Sequence, residues 1–386
     1  MPVNNHIAAR ADEIAAWRQD FHRHPELMYD LPRTSGTVAE LLRAFGCDEV
    51  ATGLGGTGVV AVVHGREPGR MIGLRADMDA LPILERTGAA YASQTPGRMH
   101  ACGHDGHTAM LLGAARHLAE TRAFAGTAVL IFQPAEEGGA GAKAMMDDGL
   151  FSRFPVDEVY GMHNLPGLEV GRFAMRPGAI MASADHIDIT VEGRGAHAAR
   201  PNQGVDVVLA GAAIVTALQQ VVSRNVDPLH SAVVSICMFH AGEADNVLPP
   251  VAKLGGTARS LDPQVRLHLR ERVREVAQGV AAAYGATATV EFSEGYPVTS
   301  NHADQTAFAA EVAREIAGGA AVDPVAPPLM AAEDFAFMLE AKPGAYIFIG
   351  NGPSAGLHHP QYDFADGAIA YGASYWVRLV ERALPL

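Results

Sequence analysis

Apolar residues along this chain fall into short continuous runs separated by stretches with helical spacing. Ile7, Ile14 and Phe21 keep one face of a helix that must stop before Pro25. Continuous runs at 58–63, 71–75, 127–132 and 158–162, and again at 345–349, read as buried strands. Between them, 108–120 and 140–148 read as helices. Strands alternating with helices predict an α/β fold built on a mainly parallel sheet.

From about Ser183 the pattern changes. Residues 186–192 alternate as a half-buried strand, and 205–223 read as a helix. Strands at 232–239 and 251–257, a charged helix at 263–283 and a strand at 287–292 follow. This β-α-β-β-α-β order suits a separate α+β domain. Because the α/β pattern then resumes, the expected organisation is a main domain of residues 1–182 and 295–386 interrupted by an insert, 183–294.

A length of 386 residues accommodates two such domains. With 48% hydrophobic and 19% charged residues, the chain reads as an ordinary globular protein. A net charge of −14 argues against nucleic acid or an anionic membrane surface as a partner. It leaves room for an anionic small molecule, since one arginine in a pocket outweighs the global field. The opening Met1-Pro-Val-Asn-Asn-His lacks the basic and apolar segments of a signal peptide. The longest nearly uninterrupted apolar run, 207–218, falls short of the ~18 residues of a membrane span. Three scattered cysteines, Cys47, Cys102 and Cys237, fit a reducing compartment, so the cytoplasm is the expected location.

Chemistry concentrates where strands end. Asp77 and Asp79 follow the strand ending near Arg75, Glu136 and Glu137 follow the one ending near Phe132, and His163 follows the one ending near Met162. His358 lies just beyond 345–349. In an open α/β sheet the carboxyl ends of parallel strands share one edge, so these residues are expected to converge there. Met99-His-Ala-Cys-Gly-His-Asp-Gly-His107 adds a thiol and an imidazole, Cys102 and His104, in a glycine-hinged turn. Thiol, imidazole and carboxylate are the donors of a transition-metal site, and a second carboxylate beside a ligating one is what a metal-activated water needs as its base.

These motifs, in this order and nearly end to end, resemble one family. Leu74-Arg-Ala-Asp-Met-Asp-Ala-Leu-Pro82, Met99-His-Ala-Cys-Gly-His-Asp105, Gln133-Pro-Ala-Glu-Glu-Gly138, Gly161-Met-His-Asn164, Gly193-Arg-Gly-Ala-His197, Glu333-Asp-Phe335 and Leu357-His-His-Pro-Gln-Tyr-Asp-Phe364 are similar to the amidohydrolase branch of the aminoacylase and carboxypeptidase G type metallopeptidases. That branch includes hippurate hydrolases, N-acyl-amino-acid amidohydrolases and auxin-conjugate hydrolases. The resemblance implies a catalytic domain of zinc-peptidase type and an inserted lid and dimerisation domain. It implies two divalent metal ions sharing Cys102, one also held by His104 and His163, the other by Glu137 and His358. Glu136 would be the general base, His197 an oxyanion partner that in dimeric relatives reaches the neighbouring subunit, and Asn246 with Arg259 the substrate-binding pair. Relatives outside the branch have a bridging aspartate at the Cys102 position and a histidine ligand at that of Asp77. His104 is taken to replace that histidine and Asp79 to orient a ligand from behind. The thiolate bridge leaves zinc, manganese, cobalt and nickel all open.

Other polar residues read as structural. His100 and His107 flank the cluster as hydrogen-bonding groups, Phe21-His-Arg-His-Pro-Glu-Leu27 as a helix end, and Cys47, Cys237 and His240 as packing residues. For His359, only the family pattern favours its neighbour His358 as ligand. The expected activity is hydrolysis of the amide of N-acyl amino acids, hippurate-like ones first, by a homodimer or homo-oligomer. One alternative is a metallo-dipeptidase or aminopeptidase, which would need a carboxylate for the substrate ammonium. The other is a non-catalytic metal or amino-acid binding protein, which would have no use for Glu136.

Overall fold

The computed structural model describes residues 3–386, which divide into two compact units. One comprises residues 3–180, 300–327 and 334–386, the other 181–299 and 328–333.

The first unit is built on an eight-stranded sheet. Its strands are β1 (Glu49–Leu54), β2 (Gly58–His64), β3 (Glu67–Asp77), β4 (Ala125–Gln133), β5 (Glu158–Leu165), β6 (Phe173–Ala174), β7 (Val322–Asp323) and β8 (Gly344–Gly350). They lie in the order β1-β2-β4-β3-β5-β8-β6-β7. The central four, β4, β3, β5 and β8, are mutually parallel, whereas β1, β2 and β6 pair antiparallel toward the edges. Parallel strands covered on both faces need unbroken apolar sequence. Accordingly β4 is buried along nearly its whole length and β8 throughout.

Helices α1 (Ala11–Arg23), α2 (Pro32–Ala44), α3 (His104–Thr121), α4 (Ala303–Ala317) and α5 (Ile369–Ala383) belong to the same unit. Pro32 at the first position of α2 gives up only an N–H that the helix would leave unpaired. α3 packs against α1, α5 and β3, which explains a helix apolar almost all round, from Ala109 to Ala119. Its Gly113 has no room for a β-carbon, which would lie 2.7 Å from Ile14 Cδ1.

The second unit is an antiparallel four-stranded sheet, ordered Ala232–Ala241, Val251–Ser260, Ser183–Glu192, Thr287–Glu294, with helices Val207–Gln220 and Pro263–Ala283. Ile187, Ile189 and Val191 alternate into a core with Ile214, Leu218, Leu269 and Val273. Both helices start on an aspartate whose carboxylate accepts two backbone N–H groups: Asp206 from Val208 and Leu209, Asp262 from Gln264 and Val265.

The first of these helices runs on as a π-turn, Val221–Asn225. Together they make 19 residues, long and apolar enough by length and composition to cross a membrane, more than the run at 207–218 suggested. Its inward residues Val207, Ala210, Ile214, Leu218 and Val221 fill the core of the unit, while Val208 and Leu209 are exposed. Cys237 and His240 are not packing residues. Both are exposed on the outer strand, where the register shifts between Ile236 and Met238 and a bulge turns side chains outward.

Candidate metal centre

The four parallel strands deliver their carboxyl ends to one edge of the sheet. β3 ends at Asp77, β4 leads into Glu136 and Glu137, β5 carries His163 near its end, and the loop after β8 carries His358. Cys102 and His104 reach the same edge from the start of α3. The hinge between them, Gly103, has φ 90°, and a β-carbon there would lie 2.2 Å from Asn164 Nδ2 and 2.5 Å from Tyr362 Oη. Only glycine fits that backbone in that space.

Among the described residues five overlapping groups of three donors result, with the ligand atoms of each within 4.8 Å of one another: Asp77, His104 and His107; His104, Glu136 and Glu137; Glu136, Glu333 and Asp334; and two that share Cys102. Of these two, one is Cys102, His104 and His163, all buried; the other is Cys102, Glu137 and His358. Cys102 Sγ lies 3.4 Å from His163 Nε2, and Glu137 Oε1 lies 3.2 Å from His358 Nε2 and 3.9 Å from His104 Nε2. His358 adopts φ 62°, a left-handed backbone rare outside glycine, with its N–H donated to Ala101 O at 2.8 Å. His359 turns away and accepts from Gln361 N.

Ring orientations are set from behind. His104 Nδ1 donates to Asp79 O at 2.9 Å and His163 Nδ1 to Asn164 O at 2.7 Å, which turns both Nε2 atoms toward the cluster. His104 Nε2 and Glu137 Oε1 are buried and make no aligned hydrogen bond, the 3.2 Å approach of His358 Nε2 to Glu137 Oε1 being an ion-pair contact. Unpaired buried polar atoms are rare, and a cation between them would satisfy both. The donor set therefore fits two divalent ions.

Asp79 clamps the carboxylate turn. Its Oδ1 accepts from Glu136 N and its Oδ2 from Glu137 N, each at 3.0 Å. The turn needs such support, because Ala135 at φ 53° and Ala140 at φ 56° both occupy left-handed backbone without being glycine. Glu136 is buried, and its Oε1 accepts from Asp334 N at 3.4 Å.

The electrostatics also favour a cation. Burial pushes the Cys102 thiol well above its ordinary value, and the charges of Glu137, Glu136 and Asp77 push it further. Burial opposes protonation of His104, yet Asp77, Asp79 and Glu137 outweigh it and raise the ring to about 10. Burial, with His107 beside it, holds His163 well below its ordinary value. An excess of buried negative charge is what two divalent ions would neutralise.

Behind the ligands lies a network that the sequence did not reveal. Asn164 donates from Nδ2 to Cys102 O at 2.6 Å and from its backbone N to His107 Nε2 at 2.9 Å, and it accepts from Tyr362 Oη at 2.7 Å. His107 in turn donates from Nδ1 to Asp77 Oδ1 at 2.6 Å. Arg75 bridges Asp77, Gln133 and Asp334 at 2.7, 2.8 and 2.9 Å. A second network joins Arg18, His22, Glu85 and Asp105, so the stretch after Phe21 is a charged buried assembly rather than a plain helix end. His100 is buried with neither ring nitrogen partnered, and burial lowers it to about 3. The one available signal was adjacency, since Asn164 follows His163, and Arg75 shares a run with Asp77.

The profile of peptidase family M20/M25/M40 matches residues 73–382. The chain belongs to this family. It is 44% identical over 372 residues to the hippurate hydrolase of Campylobacter jejuni, covering 96% of this chain and 97% of the relative. It is 38% identical over 384 residues to an N-acetyl-L-cysteine deacetylase of Bacillus subtilis, covering 99% and 90%. The YXEP protein of Bacillus subtilis, described as a dinuclear metal binding peptidase of the M20 family, superposes with a TM-score of 0.85 at 34% identity, covering 98% and 99%. The chain is accordingly a metal-dependent amidohydrolase of the M20 family.

The remaining candidate residues lie in the second unit. His197 sits on the short strand Ala196–His197, paired with Val247–Leu248, and Asn246 O accepts from Ala198 N at 2.9 Å. His197 and Asn246 are thus neighbours, and both are exposed. Arg259 is half-buried near the end of the ten-residue strand Val251–Ser260, donating to Met330 O at 3.1 Å. Val251 begins that strand three residues after the ribbon strand Val247–Leu248, and at ~3.3 Å per residue the strand runs roughly 26 Å from Val251 to Arg259. The second unit therefore joins His197 to Asn246 and holds Arg259 apart.

Proposed function

We propose that the protein hydrolyses the amide bond of N-acyl amino acids, hippurate-like ones among them, to a carboxylic acid and a free amino acid. One observation carries this: two three-donor groups share the buried thiol of Cys102, with a further buried carboxylate, Glu136, next to the donor Glu137. Cys102, His104 and His163 would hold one divalent ion, and Cys102, Glu137 and His358 the other, with zinc, manganese, cobalt and nickel all compatible with the donors. Such ions lower the pKa of water and polarise a carbonyl.

Glu136 takes the proton of the attacking water on its carboxylate and returns it to the leaving nitrogen. Asp79 fixes the backbone of Glu136 and Glu137 by accepting both of their N–H groups, while their carboxylate oxygens lie within 4.8 Å of one another. Arg259 pairs its guanidinium with the α-carboxylate of the amino acid, Asn246 assists in binding it, and His197 hydrogen-bonds the carbonyl oxygen as charge develops. The His197 ribbon and Arg259 belong to opposite ends of the strand Val251–Ser260, which supports a homodimer in which His197 and Asn246 serve the neighbouring subunit. The unpaired outer strand Ala232–Ala241, with Met238 and Phe239 exposed on it, is a surface suited to a second copy.

The test is chelation followed by metal restoration, assayed on hippurate and on a dipeptide with a free amino terminus. Hippurate hydrolysis should vanish and return with metal. Full activity in metal-free protein, or preference for the dipeptide, would refute the reading. Mixing inactive Glu136→Gln and His197→Ala proteins should restore activity in mixed dimers, and no recovery after verified subunit exchange would refute the shared site.

A further inference from the structure

The turn Leu27–Asp30 borders the carboxylate loop. Leu27 bridges to Ala80, the residue after Asp79, and Ala80 N donates to Glu26 O at 2.8 Å. Asp30 N closes the turn on Leu27 O at 3.0 Å, leaving Met28 and Tyr29 at its tip. Met28 has φ 55°, a conformation that this turn position normally assigns to glycine. A methionine kept at some backbone cost, with 37% of its surface exposed, needs a reason outside the folding of the turn.

The side chains of this tip lie on the Glu136–Glu137 turn. A β-carbon on Gly139 would sit 3.0 Å from Met28 Cε, so the thioether methyl rests over that glycine. Tyr29 Oη donates to Gly139 O at 2.5 Å, which holds the hydroxyl end of the ring, and Thr57 Oγ1 donates to the backbone carbonyl of Tyr29 at 3.1 Å, while 37% of the residue stays exposed. Gly56 sets no side chain against the ring, where a β-carbon would be in ordinary contact with Tyr29 Cδ1 at 3.7 Å. The result is a fixed apolar ledge two residues from Glu137, open on its outer side.

We infer that Met28 and Tyr29 form the acyl-recognition ledge of the enzyme and select substrates whose acyl group is large and flat, such as a benzoyl group. This inference rests on the N-acyl amino acid reading above. A pinned aromatic ring and a polarizable thioether offer an aryl group stacking and sulfur contacts that a methyl group does not use. The ledge adds binding in proportion to the apolar acyl surface it covers, so it discriminates between acyl groups and does not act on the bond being broken.

The experiment measures kcat/KM of the metal-loaded enzyme for N-benzoylglycine and N-acetylglycine in wild type, Met28→Gly and Tyr29→Ala, with melting temperatures and oligomeric mass alongside. Met28→Gly removes the side chain and relieves the backbone, so it should melt no lower than wild type while the benzoyl-to-acetyl ratio falls about tenfold. Tyr29→Ala should lower the ratio in the same direction. A ratio within twofold of wild type in both variants overturns the ledge, as does a change of oligomeric mass without a change in ratio. Wild-type enzyme that cleaves N-acyl amino acids with an unmoved variant ratio refutes the ledge alone. Wild-type enzyme that cleaves neither substrate refutes the proposed function and the ledge with it.

Discussion

Replacing Asp79 by asparagine isolates the clamp on the carboxylate turn. The wild-type carboxylate accepts two backbone N–H groups at 3.0 Å, from Glu136 and Glu137. Asparagine can accept only one of them and turns its own NH2 toward the other. One buried N–H is then unsatisfied, which costs about 1–3 kcal/mol, and the surviving bond loses its charge assistance, about 1 kcal/mol more. The turn already carries the left-handed alanines Ala135 and Ala140, so a loss of about 2–4 kcal/mol is enough to let it relax. Glu137 would then leave its place beside His358, 3.2 Å away. Loss of a partner behind a ligand typically weakens metal binding by about 10–100-fold. Titration of stripped protein against a chromophoric chelator should show that weakening for the ion held by Glu137 and His358, with a smaller change at the ion held by His163. The melting temperature of the stripped variant should also fall. Wild-type affinity at both positions together with an unchanged melting temperature would refute the clamp.

Glu136→Gln should lower kcat by roughly 10²–10⁴ with metal content near wild type, and wild-type turnover would remove Glu136 as the base. Cys102→Ser should lose metal and activity while Cys47→Ser and Cys237→Ser keep both; equal behaviour of the three variants would remove Cys102 from the ligand set. Burial opposes protonation of His22, but Asp105 and Glu85 outweigh it and raise the ring to about 9. Because this exceeds the ~6.5 of an unfolded histidine, its stabilisation is complete below pH 6.5 and disappears as the pH rises through 9. The melting-temperature gap between wild type and His22→Gln should shrink over that window, and a gap constant from pH 6 to 10 would refute the assignment.

The parallel strands at the centre of the sheet were legible because such strands, buried on both faces, require unbroken apolar runs, and 127–132 and 345–349 have them. Less visible were α2 and α5, since their ends carry weak stop signals, and β1, whose residues are mostly exposed. The charged partners of Arg18 were invisible for a different reason. Asp105 and Asp366 lie 87 and 348 residues away, and no local period encodes such distances.

By itself the sequence determined which donors exist and where strands hand them over. Cys102 and His104 flank a glycine, Glu136 and Glu137 end an apolar run, and a parallel sheet brings such ends to one edge. Only the tertiary structure decided which side chains meet and which turn away. His358 faces Glu137 while His359 does not, because one left-handed residue aims the loop. Asp79 points back at the turn rather than into the cluster because two N–H groups 57 and 58 residues along the chain need its oxygens. Arg259 stands at the far end of the strand Val251–Ser260 from the His197 ribbon because the strand between them is extended, with a fixed rise per residue. Donor type is a property of single residues, whereas direction and distance are set by hydrogen bonds and strand lengths that exist only after folding.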